Sequence, residues 1–398
     1  MAPQSAGLVL AAYTHFGAKG LRGVGMYHLV REVWRRGQLR QVLAVSKSRC
    51  QYEFDLPLID TLPGESLLVS GLGAIKNRIW RGFPSRWLGE GLFDRYAASR
   101  LVSQGRVLVT TPRLLQTSRV AKGLGYKVLL YGGAPHPIYL MEQIQLEHDT
   151  FDLKGAKEYR SRAWDMARFA AHVEQADYLL TPSEFAKETY VQQGFPRERI
   201  FVAPLGVDVR RFRATPPPTE GPFICLFVAH VAGSTGMVKG LPYLLQAWSE
   251  LNLKNARLLV CGKMGQEAQQ VIQRYAGKLP DVEFTGPVSN IVEYYRKASI
   301  FVLPTLAEGL AKVVLEAMAS GRPVITTPVL KPVVREGSDG FYIPPRDVAA
   351  LKDRILHFYQ HREEVSRMGA NASEQAQQFT WEPFSQRIAD IVEKVAAT

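Results

Sequence analysis

The stretch Pro304 to Gly321, PTLAEGLAKVVLEAMASG, directly follows the apolar run Ile300 to Leu303 and decides how the rest of the chain is read. The apolar run has the length and β-branched content of a buried strand, and the residues from Ala311 to Ser320 carry a helical apolar spacing. A strand thus delivers Glu308 to a loop, and Gly309 is expected to open a helix that contains Glu316. The unpaired N–H groups and positive dipole end of such a helix suit an anion. Glu316 sits among Val313, Val314, Ala317 and Met318, where an unpaired acid would be costly, so a defined partner is expected for it.

Outward from this segment the same alternation recurs. Strand-like runs at Phe223 to Val228, Arg257 to Cys261, Val282 to Thr285 and Pro323 to Thr327 are separated by helical runs at Leu241 to Glu250, Gln266 to Tyr275 and Ile291 to Lys297. This is the pattern of a parallel sheet covered on both faces. A second series precedes it, with strands at Gly7 to Tyr13, Gln41 to Ser46, Arg106 to Thr110, Lys127 to Tyr131 and Asp177 to Leu180, and helices at Met26 to Arg36 and Lys157 to Gln175. Between the series lies TPPPTEG, Thr215 to Gly221, which continues neither a helix nor a central strand.

The expected fold is therefore α/β, two Rossmann-like domains facing each other across a cleft. The expected domains are 1–205, a linker at 206–221, and 222–380, with residues 381–398 forming a helix that returns to the first domain. Open α/β sheets bind ligands at the carboxyl ends of their strands, so the cleft is the expected site.

Composition agrees with a folded enzyme-sized protein and narrows its surroundings. The 398 residues are 46% hydrophobic and 22% charged, which excludes disordered and collagen-like chains. No signal peptide or 18-residue apolar run is evident, and Cys225 and Cys261 fall within apolar strands, so a cytoplasmic protein with packed thiols is expected. The net charge is +12, and the first 200 residues hold 27 Lys and Arg against 18 Asp and Glu. Such a surface attracts phosphates of any kind; a nucleic-acid binder would need a recognisable module, and none is seen.

Three ordered motifs then resemble the family 4 glycosyltransferases, retaining and nucleotide-sugar dependent enzymes of the GT-B fold. Glu308 and Glu316 match the family's E-x(7)-E pair, followed by the typical EAMASGRPVI. The passage Pro182 to Phe212, PSEFAKETYVQQGFPRERIFVAPLGVDVRRF, is similar to the family's approach to the interdomain crossing. Val238-Lys239-Gly240 before LPYLLQAW is the third match. The likeness runs from about residue 177 to the carboxyl end, while the first 150 residues match only in outline.

The resemblance implies transfer of a sugar from a UDP- or GDP-linked donor to a hydroxyl acceptor, with no metal and no resident cofactor. It gives Glu308 the donor sugar, Glu316 the nucleotide ribose, Lys239 the diphosphate, and Gly309, Leu310 and Ala311 the turn around it. Where the family commonly has an Arg after the strand, this chain has His230, and the loop to Lys239 is long; Lys263 is a substitute cation or a surface lysine. His136, in the loop YGGAPHP, stands where related enzymes often have a histidine facing the sugar, and an exposed loop histidine is the other reading. An inactive binding subunit of the same fold is the alternative to an enzyme.

Two segments of the first half add candidates for the acceptor side. The loop HFGAKGLRGVG contains His15, Gly17 and Gly20 and reads as a phosphate cradle or a flexible turn. It lacks the third glycine of a dinucleotide fingerprint, since His28 stands there. Residues 71–100 interleave Arg78 and Arg81 with Trp80 and Trp87, which suits either an anionic membrane interface or a core helix pair with a charged face. A membrane lipid or lipid-linked glycan as acceptor, and peripheral attachment to the cytoplasmic membrane face, follow from the first of these.

Overall fold

The structure is a computed structural model of the chain and describes residues 7–16, 21–47, 58–64, 85–153, 156–218, 220–232 and 234–398. The expected α/β class with two sheets is observed. The amino-terminal sheet has seven parallel strands: β1 (Leu8–Phe16), β2 (Leu39–Lys47), β3 (Ile59–Thr61), β4 (Val107–Thr110), β5 (Lys127–Tyr131), β6 (Tyr178–Thr181) and β7 (Ile200–Val202). Their order is β3-β2-β1-β4-β5-β6-β7. Helices α1 (Leu21–Arg35), α2 (Ser85–Arg100), α3 (Leu115–Gly123), α4 (Pro137–Thr150), α5 (Ala156–Gln175) and α6 (Glu184–Gln192) accompany it.

The second sheet has six parallel strands: β8 (Phe223–Val228), β9 (Ala256–Cys261), β10 (Val282–Gly286), β11 (Ile300–Leu303), β12 (Val324–Thr326) and β13 (Gly340–Tyr342). They run in the order β10-β9-β8-β11-β12-β13. Around it lie α7 (Leu241–Leu251), α8 (Gln266–Arg274), α9 (Ile291–Lys297), α10 (Lys312–Ala319), α11 (Val348–Gln360) and α12 (Arg362–Ala376), and the chain ends in α13 (Trp381–Ala396). In both sheets the strand order reverses beside the first strand of the domain, at β1/β4 and β8/β11. At such a point the crossovers leave to opposite faces and open a crevice at the carboxyl ends.

Strands buried on both faces explain the continuous apolar runs. Leu8 to Ala12, Val107 to Val109 and Ile300 to Leu303 are all buried, as parallel strands covered by helices must be. Cys225 and Cys261 are buried and free, packed in β8 and β9.

The last helix, α13, lies against α1 of the amino-terminal domain. Arg36 binds Asp390 at 2.8 Å and Glu393 at 3.0 Å, Arg31 pairs with Glu382, and His28 stacks on Trp381 with centroids 4.4 Å apart. On the way between the sheets, Thr215 is held by Arg322, a fully buried side chain that donates to Thr215 Oγ1 at 2.8 Å and to Ala298 O at 2.8 Å. Burial lowers its pKa to about 10. A buried guanidinium is tolerated when its donors are satisfied in this way.

One sequence reading is corrected. The helix after Glu308 starts at Lys312, not at Gly309, because Ala311 is extended with ψ 95° and Gly309 is wedged against the other domain. Of the segment 71–100, only Ser85 onward is described. It is helix α2, whose inner face buries Phe93 and Ala97 together with Glu90 and Asp94. Among the described residues no helix is long and apolar enough to cross a membrane.

Candidate functional site

Two turns of the second domain build the centre of the site. After β11 the chain turns at Pro304, and Leu306 N–H and Thr305 Oγ1 both donate to Val238 O, at 2.7 and 3.0 Å. Thr327 Oγ1 donates to Thr305 O at 2.6 Å from behind. Gly240, on the other turn, adopts φ 79°, and a Cβ there would lie 2.0 Å from Pro304 O. Only glycine satisfies both demands. The Lys239-Gly240 pair of the sequence is thus fixed by backbone packing as well as by chemistry.

This clamp brings Lys239 and Glu308 together: Lys239 Nζ donates to Glu308 Oε1. Their side chains are 24% and 15% exposed. A partly exposed ion pair contributes ~1 kcal/mol or less to stability, so both groups can turn to a ligand at small cost. The carboxylate offers acceptors for hydroxyls, and the ammonium offers three donors for phosphate oxygens.

Glu316 lies one helix turn into α10 and is buried. Lys312 reaches its Oε1 at 3.1 Å, and Tyr295 O–H donates to its Oε2 at 3.1 Å. Tyr295 itself is fully buried; burial first, then the Glu316 charge, push its phenol well above the ordinary value. The partner expected for Glu316 is therefore Lys312 together with Tyr295, neither of which the sequence reading had singled out. Lys312 was legible as the residue four before Glu316 on one helix face; Tyr295, on α9, carried no sequence signal.

No side chain caps the start of α10, whose N-cap is Ala311, so its first N–H groups point out toward the loop. Leu310 and Ala311 are buried and can offer a ligand only their backbone. Gly309 faces the amino-terminal domain, where its missing Cβ would lie 2.3 Å from Gly133 O and 2.9 Å from Pro182 Cγ. The turn from Glu308 to Ala311 thus abuts the loop that holds His136.

His136 is buried, not exposed as a loop histidine would be, and it caps α4. Its Nδ1 accepts from Ile138 N–H at 3.2 Å, with Pro137 at the first helical position. Its backbone N–H donates to Thr189 Oγ1 at 2.8 Å, and its ring meets Tyr190 edge-on at 5.2 Å. Burial lowers its pKa to about 4, so it is neutral, and with Nδ1 accepting, the ring proton resides on Nε2. Proline at the first helical position, here Pro137, is a helix-start signal that the sequence reading passed over.

The remaining candidates are more dispersed. His230 and Lys263 are exposed on adjoining loops at the carboxyl ends of β8 and β9, joined by Val231 N–H to Lys263 O at 2.9 Å. His15 is the penultimate residue of β1, paired in register with Ser46, and its side chain lies outside the described set. Gly17, Gly20, Arg78, Trp80 and Arg81 lie outside the described residues altogether. Trp87, on α2, is 42% exposed. Among the described residues no group of three or more His, Cys, Asp or Glu side chains could hold a metal ion.

Residues 222–361 match the family model described as Glycosyl transferases group 1. The chain is 27% identical over 242 residues to a D-inositol 3-phosphate glycosyltransferase of Corynebacterium urealyticum, covering 55% of this chain and 57% of that one. The chain spans about half the length of the curated relatives it matches.

Among solved structures, sucrose-phosphate synthase of Thermosynechococcus elongatus superposes with a TM-score of 0.67 at 19% identity, over 98% of this chain and 99% of that one. The Anabaena protein HepE in complex with UDP and glucose gives 0.64 at 14% identity, over 97% and 99%. At these identities the likeness establishes the fold, two facing sheets of the GT-B type. Lys239, Glu308 and Glu316 all lie inside residues 222–361, the region that is similar to the Glycosyl transferases group 1 family.

Proposed function

We propose that the chain is a retaining glycosyltransferase that moves a sugar from a nucleotide diphosphate sugar to a hydroxyl acceptor. The observation that carries this reading is the clamp that sets Lys239 beside Glu308 at the mouth of the α10 amino terminus, with Glu316 one turn further in. Lys239 and the uncapped N–H groups take the diphosphate, the Glu308 carboxylate accepts from the sugar hydroxyls, and Glu316 accepts from the ribose. Lys312 and Tyr295 hold the Glu316 carboxyl group in place.

In transfer, the bond from the sugar's anomeric carbon to the diphosphate oxygen breaks and a bond to the acceptor oxygen forms on the same face. The acceptor's proton passes to the departing phosphate oxygen. Charge develops on that phosphate, and Lys239 with the helix N–H groups stabilises it as it appears. The scheme uses no side-chain nucleophile, no metal and no resident cofactor. The carboxylates are not a glycosidase pair, which would flank one scissile bond.

For the acceptor, the excess positive charge of the first 200 residues and the exposed Trp87 on α2 favour a membrane lipid or lipid-linked glycan, met by peripheral attachment to the cytoplasmic membrane face. A thermal-shift screen of nucleotides and nucleotide sugars tests the reading. A true donor at 100 times its dissociation constant stabilises by about 2.7 kcal/mol; a chain that responds to none of them is not such an enzyme.

A further inference from the structure

Helix α4 belongs to the amino-terminal domain, yet it runs along both turns that form the donor site. At its start, the loop from Gly132 to His136 presses Gly133 O against Gly309. In its middle, Leu140 and Ile144 share one buried apolar cluster with Val238, Tyr243, Leu306 and Ala307, the residues that flank Lys239 and Glu308. Near its end stands Glu147, 0% exposed.

Three groups satisfy that carboxylate or its neighbour, and all come from the second domain. Tyr243 O–H reaches Glu147 Oε1 and Oε2 at 3.2 and 3.0 Å, and Arg346 Nε–H donates to Oε1 at 2.9 Å. Arg346 Nη2 also donates to Gln143 Oε1 at 2.9 Å, one turn back on the same helix. Arg346 is held in the left-handed region at φ 68°, a conformation non-glycine residues adopt only where surrounding contacts impose it. Burial pushes the Glu147 carboxyl up, and Arg346 and Tyr243 oppose that shift. A buried carboxylate whose partners all lie in the other domain is satisfied only while the domains are docked.

We propose that Glu147 is a positioning residue for the donor site: through Tyr243 and Arg346 it latches α4 onto the second domain, and α4 holds the Val238–Gly240 and Leu306–Glu308 turns in the arrangement that receives the donor. The inference rests on the donor-site reading above. Breaking the latch lets α4 lift, loosens the Leu306-to-Val238 hydrogen bond, and lets Lys239 and Glu308 drift from their common target.

The test uses the full chain and the variants Glu147→Ala, Glu147→Gln and Tyr243→Phe, each checked for folding by its melting transition. Hydrogen exchange, which needs no ligand, is expected to accelerate tenfold or more at residues 235–240 and 304–308 in Glu147→Ala, by less in Tyr243→Phe, and to be partly restored in Glu147→Gln. In the same order, affinity for UDP or GDP should fall, by about tenfold in Glu147→Ala. The double change Glu147→Ala, Tyr243→Phe should add little to Glu147→Ala, since both remove one latch. A part that is structural only would lower melting and leave exchange at the two turns and nucleotide affinity as in the wild type, which would overturn the proposal. Should the unaltered chain bind neither nucleotide, the donor reading fails, and exchange alone then decides the latch: acceleration supports it and unchanged rates overturn it.

Discussion

Lys239 Nζ donates to Glu308 Oε1 across two turns whose backbones are themselves joined, Leu306 N–H and Thr305 Oγ1 both reaching Val238 O. The pair is therefore held by its scaffold and not by its own attraction, which is small for partly exposed groups. That arrangement keeps a cation and a carboxylate ready at one spot and leaves both able to exchange partners.

The two glutamates have different surroundings, so their variants should behave differently. Glu308 is partly exposed and paired with a flexible lysine, whereas Glu316 is buried between Lys312 and Tyr295. Glu308→Gln is expected to lower turnover at least tenfold with little change in UDP or GDP affinity. Glu316→Gln should weaken the nucleotide several-fold and cost about 1 kcal/mol in stability. Steady-state kinetics and nucleotide titration of both variants check this; equal loss of affinity in the two would refute the division of roles.

Much of this site was legible in sequence because its parts are local. The run IFVL, the turn and the helical spacing around Glu316 fall within 21 residues of one another, and short-range pattern suffices to read them. The start of α10 was misplaced by three residues because what delays it is Gly133, in another domain. Strands β3, β7 and β13 have three residues each, too few to display a period of two. Helix α2 agrees with the packed-helix reading of residues 71–100, but the burial of Glu90 and Asp94 was not legible: Asp94 accepts from Thr117 N–H at 2.8 Å and from Gln116 N–H at 3.0 Å at the start of α3. Glu147, Tyr243 and Arg346 come from three distant segments, and their meeting is a product of tertiary structure alone.

Gly309 is a contact point between domains, and a single methyl group tests it. In Gly309→Ala the new Cβ would meet Gly133 O at 2.3 Å, so the loops must part by about an ångström. Turnover should fall tenfold or more, since a displacement of that size at a reacting centre can cost about a hundredfold. Melting should change far less than turnover. Unimpaired turnover would show that the two loops need not touch in the working enzyme.

Stability should fall on mild acidification through histidines buried without charge. His172 is fully buried, accepts from Arg113 N–H through Nδ1 at 2.9 Å, and lies 2.7 Å from Ser118 Oγ at Nε2. Burial, then Arg113 and Arg168, lower its pKa to about 3. The unfolded chain takes up this proton near pH 6.5 and the folded chain does not, so the stabilising contribution is complete above pH 6.5 and lost as pH falls toward 3. The expected slope is about 1.4 kcal/mol per pH unit from this group. Urea midpoints at pH 7, 6 and 5 should decline in the wild type and decline less steeply in His172→Gln; parallel slopes would contradict the assignment.

The acceptor-side reading predicts attachment to anionic membranes. The chain should sediment with anionic vesicles at low salt and be released by salt, since each cation near such a surface contributes about 1 kcal/mol. The double change Trp80→Ala, Trp87→Ala should release it without altering nucleotide binding. Folded protein that ignores vesicles of every anionic content would point to an acceptor free in solution.

The claim on which the account depends is that Lys239 belongs to a nucleotide diphosphate site, and calorimetric titration of UDP and GDP into the wild type and Lys239→Ala measures it most directly. The account predicts binding of at least one of them by the wild type, and a loss of tenfold or more in Lys239→Ala with near-wild-type melting, because a charge-assisted contact to phosphate is removed while a weak surface pair is lost. Equal affinity in the two proteins, or a wild type that binds neither nucleotide, would contradict it.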